Sequence, residues 1–441
     1  MAISFTLSLI VPSTAADEPP NILLIIADDM GRDASPCYPE GTEKPVMPTV
    51  ERLCRDGVVF DNFYATPVCS STRATILTGR YGFRTGVGAA VGRNTSNGLP
   101  LSETTLFQFI DRYAPEKYAQ AVIGKWHLAT VDNGDADHPQ MAGADFYSGV
   151  IRGTIDDYYR WPKTQNGDTE MVEGYVTSVL TDIAIDWIGN QGERPWFLWL
   201  AHVAPHLPIH LPPGDLIANR DLDGTAKDLR ARPRDYYLAS LEALDAEIGR
   251  LLAGLPQPVL DNTIILFLGD NGTPNRTVQP PYERRRAKAS LYEGGIHVPL
   301  IIAGKGVTRH GQRAEALANS TDLFATIATI AGIAPGDTDQ WPEDSVSLVP
   351  LLMSNATTGR QYAYSELFGS LGSRGRRAEG HAIRSDRWKL MKTAGKGEQF
   401  FDLTEDPYEQ NDLLQSERLA ADADDALTHL RNEISRLQAS K

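Results

Sequence analysis

Residues 21–27, Asn-Ile-Leu-Leu-Ile-Ile-Ala, form an unbroken apolar run of strand length. A strand with one wet face alternates apolar and polar side chains, so an unbroken run requires cover on both faces. A parallel sheet between helices meets that condition. Residues 119–123, 196–201, 263–268 and 298–303 repeat the pattern, and helical spacing in 175–188, 236–252 and 322–331 separates several of them. A shorter helix is expected at 49–56, with Thr49 as its cap, Val50, Leu53 and Cys54 on one face, and Gly57 ending it. The expected fold is therefore α/β: a large, mostly parallel sheet sandwiched by helices.

A change of composition divides the chain. The polar stretch 336–345, containing Pro342, reads as a boundary between a domain spanning 19–345 and a small C-terminal α+β domain at 346–441. The latter offers strand signals at 381–383, 388–391 and 400–403. It ends in a helix with Ala423, Ala426, Leu427, Leu430, Ile434 and Leu437 at helical spacing. Residues 1–18 read as a signal or disordered segment: an apolar run at 5–11, small residues at 13–16, and no Lys or Arg ahead of them. A periplasmic or secreted protein is the expectation. No run reaches the roughly 18 apolar residues of a membrane span, so no stable membrane association is expected.

The formal charge of −15 excludes a general nucleic-acid binder, which needs clustered Lys and Arg. Three cysteines, Cys37, Cys54 and Cys69, do not make a disulfide framework. Cys54 reads as a small buried hydrophobe on its helix face, and Cys37 has no informative context. An odd count in an exported chain raises the question of a cysteine used chemically.

Four of the expected strands run directly into polar clusters. The first meets Asp28-Asp29, the second Gly124, Lys125, Trp126 and His127, the third His202 and His206, and the fourth Gly269-Asp270-Asn271-Gly272. Ligands bind at the carboxyl ends of open parallel sheets, so one rim can collect all four. Alone, either acidic pair reads as an Asx turn or a cap. Together, three carboxylates and an amide oxygen form a hard ligand set suited to Ca²⁺ or Mg²⁺ rather than Zn²⁺. The spacing of His202 and His206 resembles half a zinc motif, but Pro205 and Pro208 exclude the helix that motif needs.

The sharpest local signal is Pro67-Val-Cys-Ser-Ser-Thr-Arg-Ala-Thr-Ile-Leu-Thr-Gly79. Ser70 or Ser71 can cap a helix that starts beside Cys69 and closes at Gly79. Cys69 then lies at a helix N-terminus, which favours anions, with Arg73 one turn further along the same side. A helix N-terminus, an arginine and an acidic metal cage together describe an oxyanion site.

These residues resemble the formylglycine-dependent sulfatases of the alkaline-phosphatase-like superfamily. The signature is Cys69-x-x-x-Arg73 followed by Leu77-Thr78-Gly79. The aspartate pair, Gly-Lys125-x-His127, Ala-Pro-His206, Gly-Asp270-Asn271-Gly and Lys288 ahead of Leu291-Tyr-Glu-Gly-Gly295 follow in the family's order. Two positions depart from the pattern: Ser71 stands where Pro is most common, and His297 where Arg is common after Glu-Gly-Gly. The resemblance runs from about residue 20 to the 402–411 region and makes 19–345 the catalytic domain.

The resemblance implies that a maturation enzyme converts Cys69 to formylglycine (3-oxoalanine). Asp28, Asp29, Asp270, Asn271 and residue 69 would then hold Ca²⁺ or Mg²⁺. Cys69, Arg73, Lys125, His127, His206 and Lys288 would act in catalysis. The hydrated aldehyde would attack sulfur, Lys125 and Lys288 would offset developing charge, His206 or Lys288 would protonate the leaving group, and His127 would deprotonate the second hydroxyl. The implied partners are a sulfated small molecule or glycan and the formylglycine-generating enzyme. A phosphonate or phosphate ester hydrolase with the same machinery stands beside this reading, as does a non-catalytic sulfated-glycan binding protein. Specificity would come from rim loops at 146–161 and 207–235. Tyr147, Tyr158, Tyr159 and Trp161 in the first either stack on a ring of the substrate or simply pack the rim.

Overall fold

The computed structural model describes residues 18–95, 97–218, 221–356, 359–369 and 379–440. The expected leader thus lies, up to residue 17, outside the described residues. Ten strands form one sheet: β1 (Asn21–Ala27), β2 (Gly57–Tyr64), β3 (Ala119–Lys125), β4 (Phe146–Val150), β5 (Arg160–Gln165), β6 (Asp168–Glu173), β7 (Trp196–Ala201), β8 (Thr263–Gly269), β9 (Leu300–Gly304) and β10 (Gln312–Asn319). Their order is β10-β2-β9-β8-β1-β7-β3-β4-β5-β6. The central five, β8-β1-β7-β3-β4, pair in parallel, and β9 and β5 run against their neighbours.

The apolar runs are explained by what covers them. Ile22, Leu24 and Ile26 of β1 enter one core, and Leu23, Ile25 and Ala27 enter the other. β7 and β8 divide in the same way, so every second residue serves a different helical layer. The second layer includes α1 (Pro48–Asp56), and behind it α3 (Val176–Gly189) and α4 (Pro233–Gly254). The first includes α2 (Cys69–Thr78). The described helices include none long and apolar enough to cross a membrane.

Two local expectations are corrected here. Cys54 is not a lone buried hydrophobe: it is disulfide-bonded to Cys37, with a Cα–Cα distance of 6.5 Å. The turn after β1 folds Cys37 back onto α1, a tertiary juxtaposition that no spacing rule reveals. Closing this loop of sequence separation 17 constrains the unfolded chain, worth about 3 kcal/mol in the loop-entropy picture. Nor does Thr49 cap α1. The Asp245 carboxylate of α4 accepts from the Thr49 N–H (3.0 Å) and the Val50 N–H (2.7 Å), which satisfies the first turn and locks two helices together.

The C-terminal part is an antiparallel sheet of β11 (Ala363–Leu367), β12 (Gly380–Arg384), β13 (Trp388–Thr393) and β14 (Gly397–Asp402), in that order, covered by α5 (Ala421–Ala439). Alternation assigns its faces. Ile383, Leu390 and Phe400 meet Leu427, Leu430 and Ile434 of α5, whereas Ala382, Met391 and Phe401 meet Leu291, Tyr292 and Ile296 of the larger unit. Beside that second face the Lys389 ammonium, 1% exposed, pairs with Glu293 (2.8 Å) and Glu409 (2.7 Å).

Burial raises the cost of charging Glu293, and Lys389, His297 and Arg384 together outweigh it, holding the carboxyl well below its usual range. Lys389→Met should therefore strand two buried carboxylates and lower stability by about 3–5 kcal/mol. The unfolding midpoint in urea reads this directly. The double variant Lys389→Met/Glu409→Gln should recover part of the loss, and an unchanged midpoint in the single variant refutes the account.

Candidate active site

Register assembles the site. β1 and β8 are parallel with Ala27 opposite Gly269, so the next residues, Asp28 and Asp270, emerge side by side. Gly269 is required there: a Cβ would lie 1.9 Å from the Met30 carbonyl, so only glycine lets the two chain ends approach. β7 and β3 continue the rim with Ala201 opposite Gly124, which brings Lys125 alongside. All four sequence clusters reach one edge, and residue 69 faces them.

Cys69 is the first residue of α2, 3% exposed, and the only cysteine not disulfide-bonded. Neither serine caps the helix as expected. The Ser71 hydroxyl donates to the Val68 carbonyl (3.0 Å) and lies 2.5 Å from the Thr66 hydroxyl, and Ser70 turns toward His127. Gly79 does close the helix, in the left-handed conformation at φ 66°. The Cys69 Sγ lies 3.1 Å from His127 Nδ1 and 3.5 Å from Lys125 Nζ. Burial pushes the thiol pKa up, against the pull of Lys125.

The acidic residues are buried and cross-braced. The Asp29 N–H donates to Asp270 Oδ1 (3.0 Å), the Tyr237 hydroxyl donates to the Asp29 carbonyl (2.7 Å), and Asn271 Nδ2 donates to Asp29 Oδ1 (2.8 Å). These bonds hold Asp29 at φ 75°, a left-handed backbone that non-glycine residues adopt only under constraint. Lys125 is paired with Asp28, and Lys288 with Asp29. Burial alone raises the Asp29 pKa. Lys288, His206 and Lys125 more than reverse it, so the carboxyl sits well below its usual range. Asp270 moves the other way, up to about 6, because burial and the Asp28 charge outweigh Arg73.

Arg73 is fully buried among the acidic residues. It donates to Asp270 Oδ2 (2.9 Å) and to the Lys125 carbonyl (2.6 Å), tying α2 to β8 and β3. His206 Nε2 lies 3.7 Å from Asp29 Oδ2, and its Nδ1 is 3.0 Å from the Leu207 carbonyl. That carbonyl only accepts, so Nδ1 carries the proton and Nε2 presents a lone pair to the carboxylate. Burial, with Lys125 and Lys288 nearby, lowers the His206 pKa to about 3.

This arrangement fits a divalent cation. Ligand atoms of Asp28, Cys69 and Asp270 lie within 4.8 Å of one another, as do those of Asp28, Asp29 and His206. Asp28 Oδ1 and Asn271 Oδ1 are buried without a hydrogen-bond partner among the described residues. Unpaired buried oxygens are costly, and a hard cation would satisfy both.

Of the four aromatics at 146–161, three pack the rim, with Tyr147 on β4 and Trp161 on β5, while Tyr159 is exposed. Tyr147, Tyr158 and Trp161 are fully buried, and Tyr158 stacks on His210 with centroids 3.6 Å apart. The Tyr158 hydroxyl donates to the His206 carbonyl (2.5 Å), a brace on the His206 turn that sequence reasoning missed because nothing local marks it.

The family model described as Sulfatase matches residues 20–333, and the one described as N-sulphoglucosamine sulphohydrolase, C-terminal, matches 285–440. Human N-acetylgalactosamine-6-sulfatase is 29% identical over 386 residues, covering 80% of this chain and 69% of that protein. The pig N-acetylgalactosamine-6-sulfatase (Sus scrofa) is 30% identical over 386 residues with the same coverage. The crystal structure of Ps i-CgsB in complex with k-i-k-neocarrahexaose superposes with a TM-score of 0.76 at 25% identity, covering 94% of this chain and 92% of that one. BT4656 in complex with its substrate D-glucosamine-2-N,6-O-disulfate shares the fold, with a TM-score of 0.73 at 21% identity over 96% and 99% of the two chains.

His202, the other histidine of the β7 cluster, stands apart from this site. It is fully buried, and neither ring nitrogen has a hydrogen-bond partner among the described residues. Burial lowers its pKa to about 3. Unfolded, the ring takes a proton near its ordinary value of about 6.5. Above that pH neither state is protonated. Below it the unfolded state binds the extra proton, so stability falls by about 1.4 kcal/mol per pH unit until the folded ring also titrates. His202→Leu should therefore remove about 2 kcal/mol of the stability lost between pH 7.5 and pH 5.0, measured by urea unfolding at both pH values. Equal acid sensitivity in variant and parent would contradict this.

Proposed function

The chain belongs to the sulfatase family and is a sulfuric ester hydrolase, and from that premise we propose that it cleaves carbohydrate or aryl sulfate esters with a formylglycine made from Cys69 beside a divalent cation. One observation carries this reading. The Cys69 side chain sits at a helix N-terminus, within 3.5 Å of Lys125 Nζ and 3.1 Å of His127 Nδ1, beside buried oxygens that lack partners. Similarity to N-acetylgalactosamine-6-sulfatases supports a carbohydrate sulfate as substrate.

Asp28, Asp29, Asp270 and Asn271 would hold the cation, with Ca²⁺ or Mg²⁺ favoured by the all-oxygen set. When bound, it supplies positive charge against the carboxylates and polarises the oxygens of the sulfate. The hydrated aldehyde supplies two hydroxyls on one carbon, one to attack sulfur and one whose loss of a proton expels sulfate. Lys125 and Lys288 stand where negative charge spreads over the sulfuryl oxygens. His127 presents its Nδ1 lone pair to residue 69 and is the base for the second hydroxyl. Hydrogen bonding favours Lys288 over His206 as proton donor to the leaving group. The His206 Nδ1 proton is committed to Leu207, whereas the ammonium has three protons and Asp29 takes one.

Arg73 serves by bracing Asp270 and the end of β3. Residence in the periplasm or outside the cell is part of the same proposal, and the Cys37–Cys54 disulfide supports it.

Two measurements test the reading. Peptide mass spectrometry across residues 67–80 of protein from its native host should show formylglycine at position 69, and an unmodified thiol throughout refutes it. Cys69→Ser should abolish turnover yet accumulate a covalently sulfated serine, because a single hydroxyl offers no exit by aldehyde formation; normal multiple turnover rules the mechanism out. The cation is tested separately. Ca²⁺ added to chelator-treated protein should raise the thermal midpoint by several degrees, and Asp28→Ala should abolish that rise. No shift in the parent protein counts against the site.

A further inference from the structure

Ser70 adjoins the reacting position, yet the mechanism above gives it no task. It is fully buried, and its one hydroxyl is fully engaged. The O–H donates to the His127 carbonyl (2.8 Å), and the oxygen accepts from the Val91 N–H (3.0 Å). The Val91 carbonyl in turn lies 3.0 Å from His127 Nε2. A closed circuit therefore joins the start of α2, the segment through Val91, and the turn after β3.

His127 needs such a circuit. Its backbone lies at φ 61°, in the left-handed region that L side chains adopt only when their surroundings over-determine them. Its N–H is held by the Ile151 carbonyl (3.2 Å) and its C=O by Ser70. The ring has a fitted seat as well. A Cβ built on Gly153 would fall 2.2 Å from Nε2 and 2.3 Å from Cε1, so the ring occupies the space that any side chain at 153 would fill.

We propose that Ser70, the Val91 carbonyl and Gly153 form a positioning device that fixes the ring plane and the tautomer of His127 toward residue 69. The tautomer follows from bonding capacity. A carbonyl only accepts, so Nε2 carries the proton, and Nδ1 turns its lone pair to residue 69 at 3.1 Å. Ser70 is a positioning residue: it acts through His127. Its removal leaves two buried backbone groups unpaired at the points that aim the ring.

The inference rests on the formylglycine reading, and the test separates the two. The enzyme and its Ser70→Ala, Ser70→Thr and Gly153→Ala variants are assayed on an aryl sulfate. Each kcat is normalised to the fraction of molecules carrying formylglycine by peptide mass spectrometry, and thermal unfolding checks that each variant folds. Ser70→Ala should lower kcat on the order of tenfold to a hundredfold with KM changed less than about twofold, the pattern of a misaimed base rather than lost substrate binding. Ser70→Thr, which restores the O–H, should recover most of that loss. Gly153→Ala, which leaves both Ser70 hydrogen bonds in place and intrudes on the ring's seat beside Nε2, should show the same kcat loss and supplies the readout should Ser70→Ala fail to fold. Parent-like normalised kcat in Ser70→Ala or Gly153→Ala, or a loss confined to KM, overturns the device alone. A parent enzyme without formylglycine or without sulfatase activity overturns the underlying reading, and the device with it.

Discussion

Three carboxylates cannot share one buried rim unless positive charge lies between them, and most of the site follows from that requirement. The β1–β8 register forces Asp28 beside Asp270, and the Asp29 N–H on Asp270 Oδ1 adds a third acid to the group. Arg73, Lys125 and Lys288 answer the repulsion from three different elements. Their compensation is uneven. Asp29, facing Lys288 and Lys125, stays ionised far below its usual range, while Asp270 is pushed up to about 6 by burial and by Asp28. A divalent cation would complete the neutralisation, and the two unpartnered oxygens of Asp28 and Asn271 are where it would gain most. The acidic overall charge of the chain is no obstacle to an anionic substrate, because the positive charge that matters is concentrated at this rim.

The sequence revealed this much because buried parallel strands leave a strong one-dimensional trace. β1, β7 and β8 are apolar runs, and β1 and β8 lead directly into the acidic residues of the site. Three of the strands that escaped notice have no such trace. β6 is exposed almost throughout, and β5 buries only Trp161 and Thr164. β10, at the sheet edge, is half polar. The disulfide and the cap of α1 escaped for a different reason: Cys37 meets Cys54, and Asp245 meets Thr49, only after the chain has folded. Lys125, His127 and Lys288 were legible by type and place, but the way their neighbours aim them was not. Ser70 read as a helix cap, and the structure gives its hydroxyl to another element.

A common device recurs at two of the non-glycine residues held at positive φ. Asp29 and His127 both have positive φ, and both directly follow or closely follow a central strand. In each case the N–H and C=O are bound by partners from distant elements, Asp270 and Tyr237 for the first, Ile151 and Ser70 for the second. A left-handed residue at a strand end turns its side chain across the rim rather than along the sheet. The cost of that backbone is of order 1–3 kcal/mol at each position, and the fully paired surroundings hold it.

The smaller sheet contributes to this rim without placing a side chain in it. The segment from Lys288 to Ile296 is bound to the site side by backbone bonds that include those from the Lys288 N–H to the Thr273 carbonyl (3.2 Å), from the Ala289 N–H to the Pro67 carbonyl (2.9 Å) and from the Gly272 N–H to the Gly295 carbonyl (3.0 Å). Its far end is fixed by Glu293, whose carboxylate meets Lys389 of β13, the Tyr64 hydroxyl (2.7 Å) and His297 (2.9 Å). His297 stands where the family commonly has Arg; it stacks on Tyr64 at 4.6 Å with its Nδ1 2.9 Å from Glu293, and because burial, with Arg32 nearby, lowers its pKa, it meets the carboxylate as a hydrogen-bond donor and not as a second cation. Lys288 thus hangs between two anchors, one in each sheet. The period-2 alternation of β12, β13 and β14 makes this possible, since one face can be given to α5 and the other to the strap that holds the site lysine.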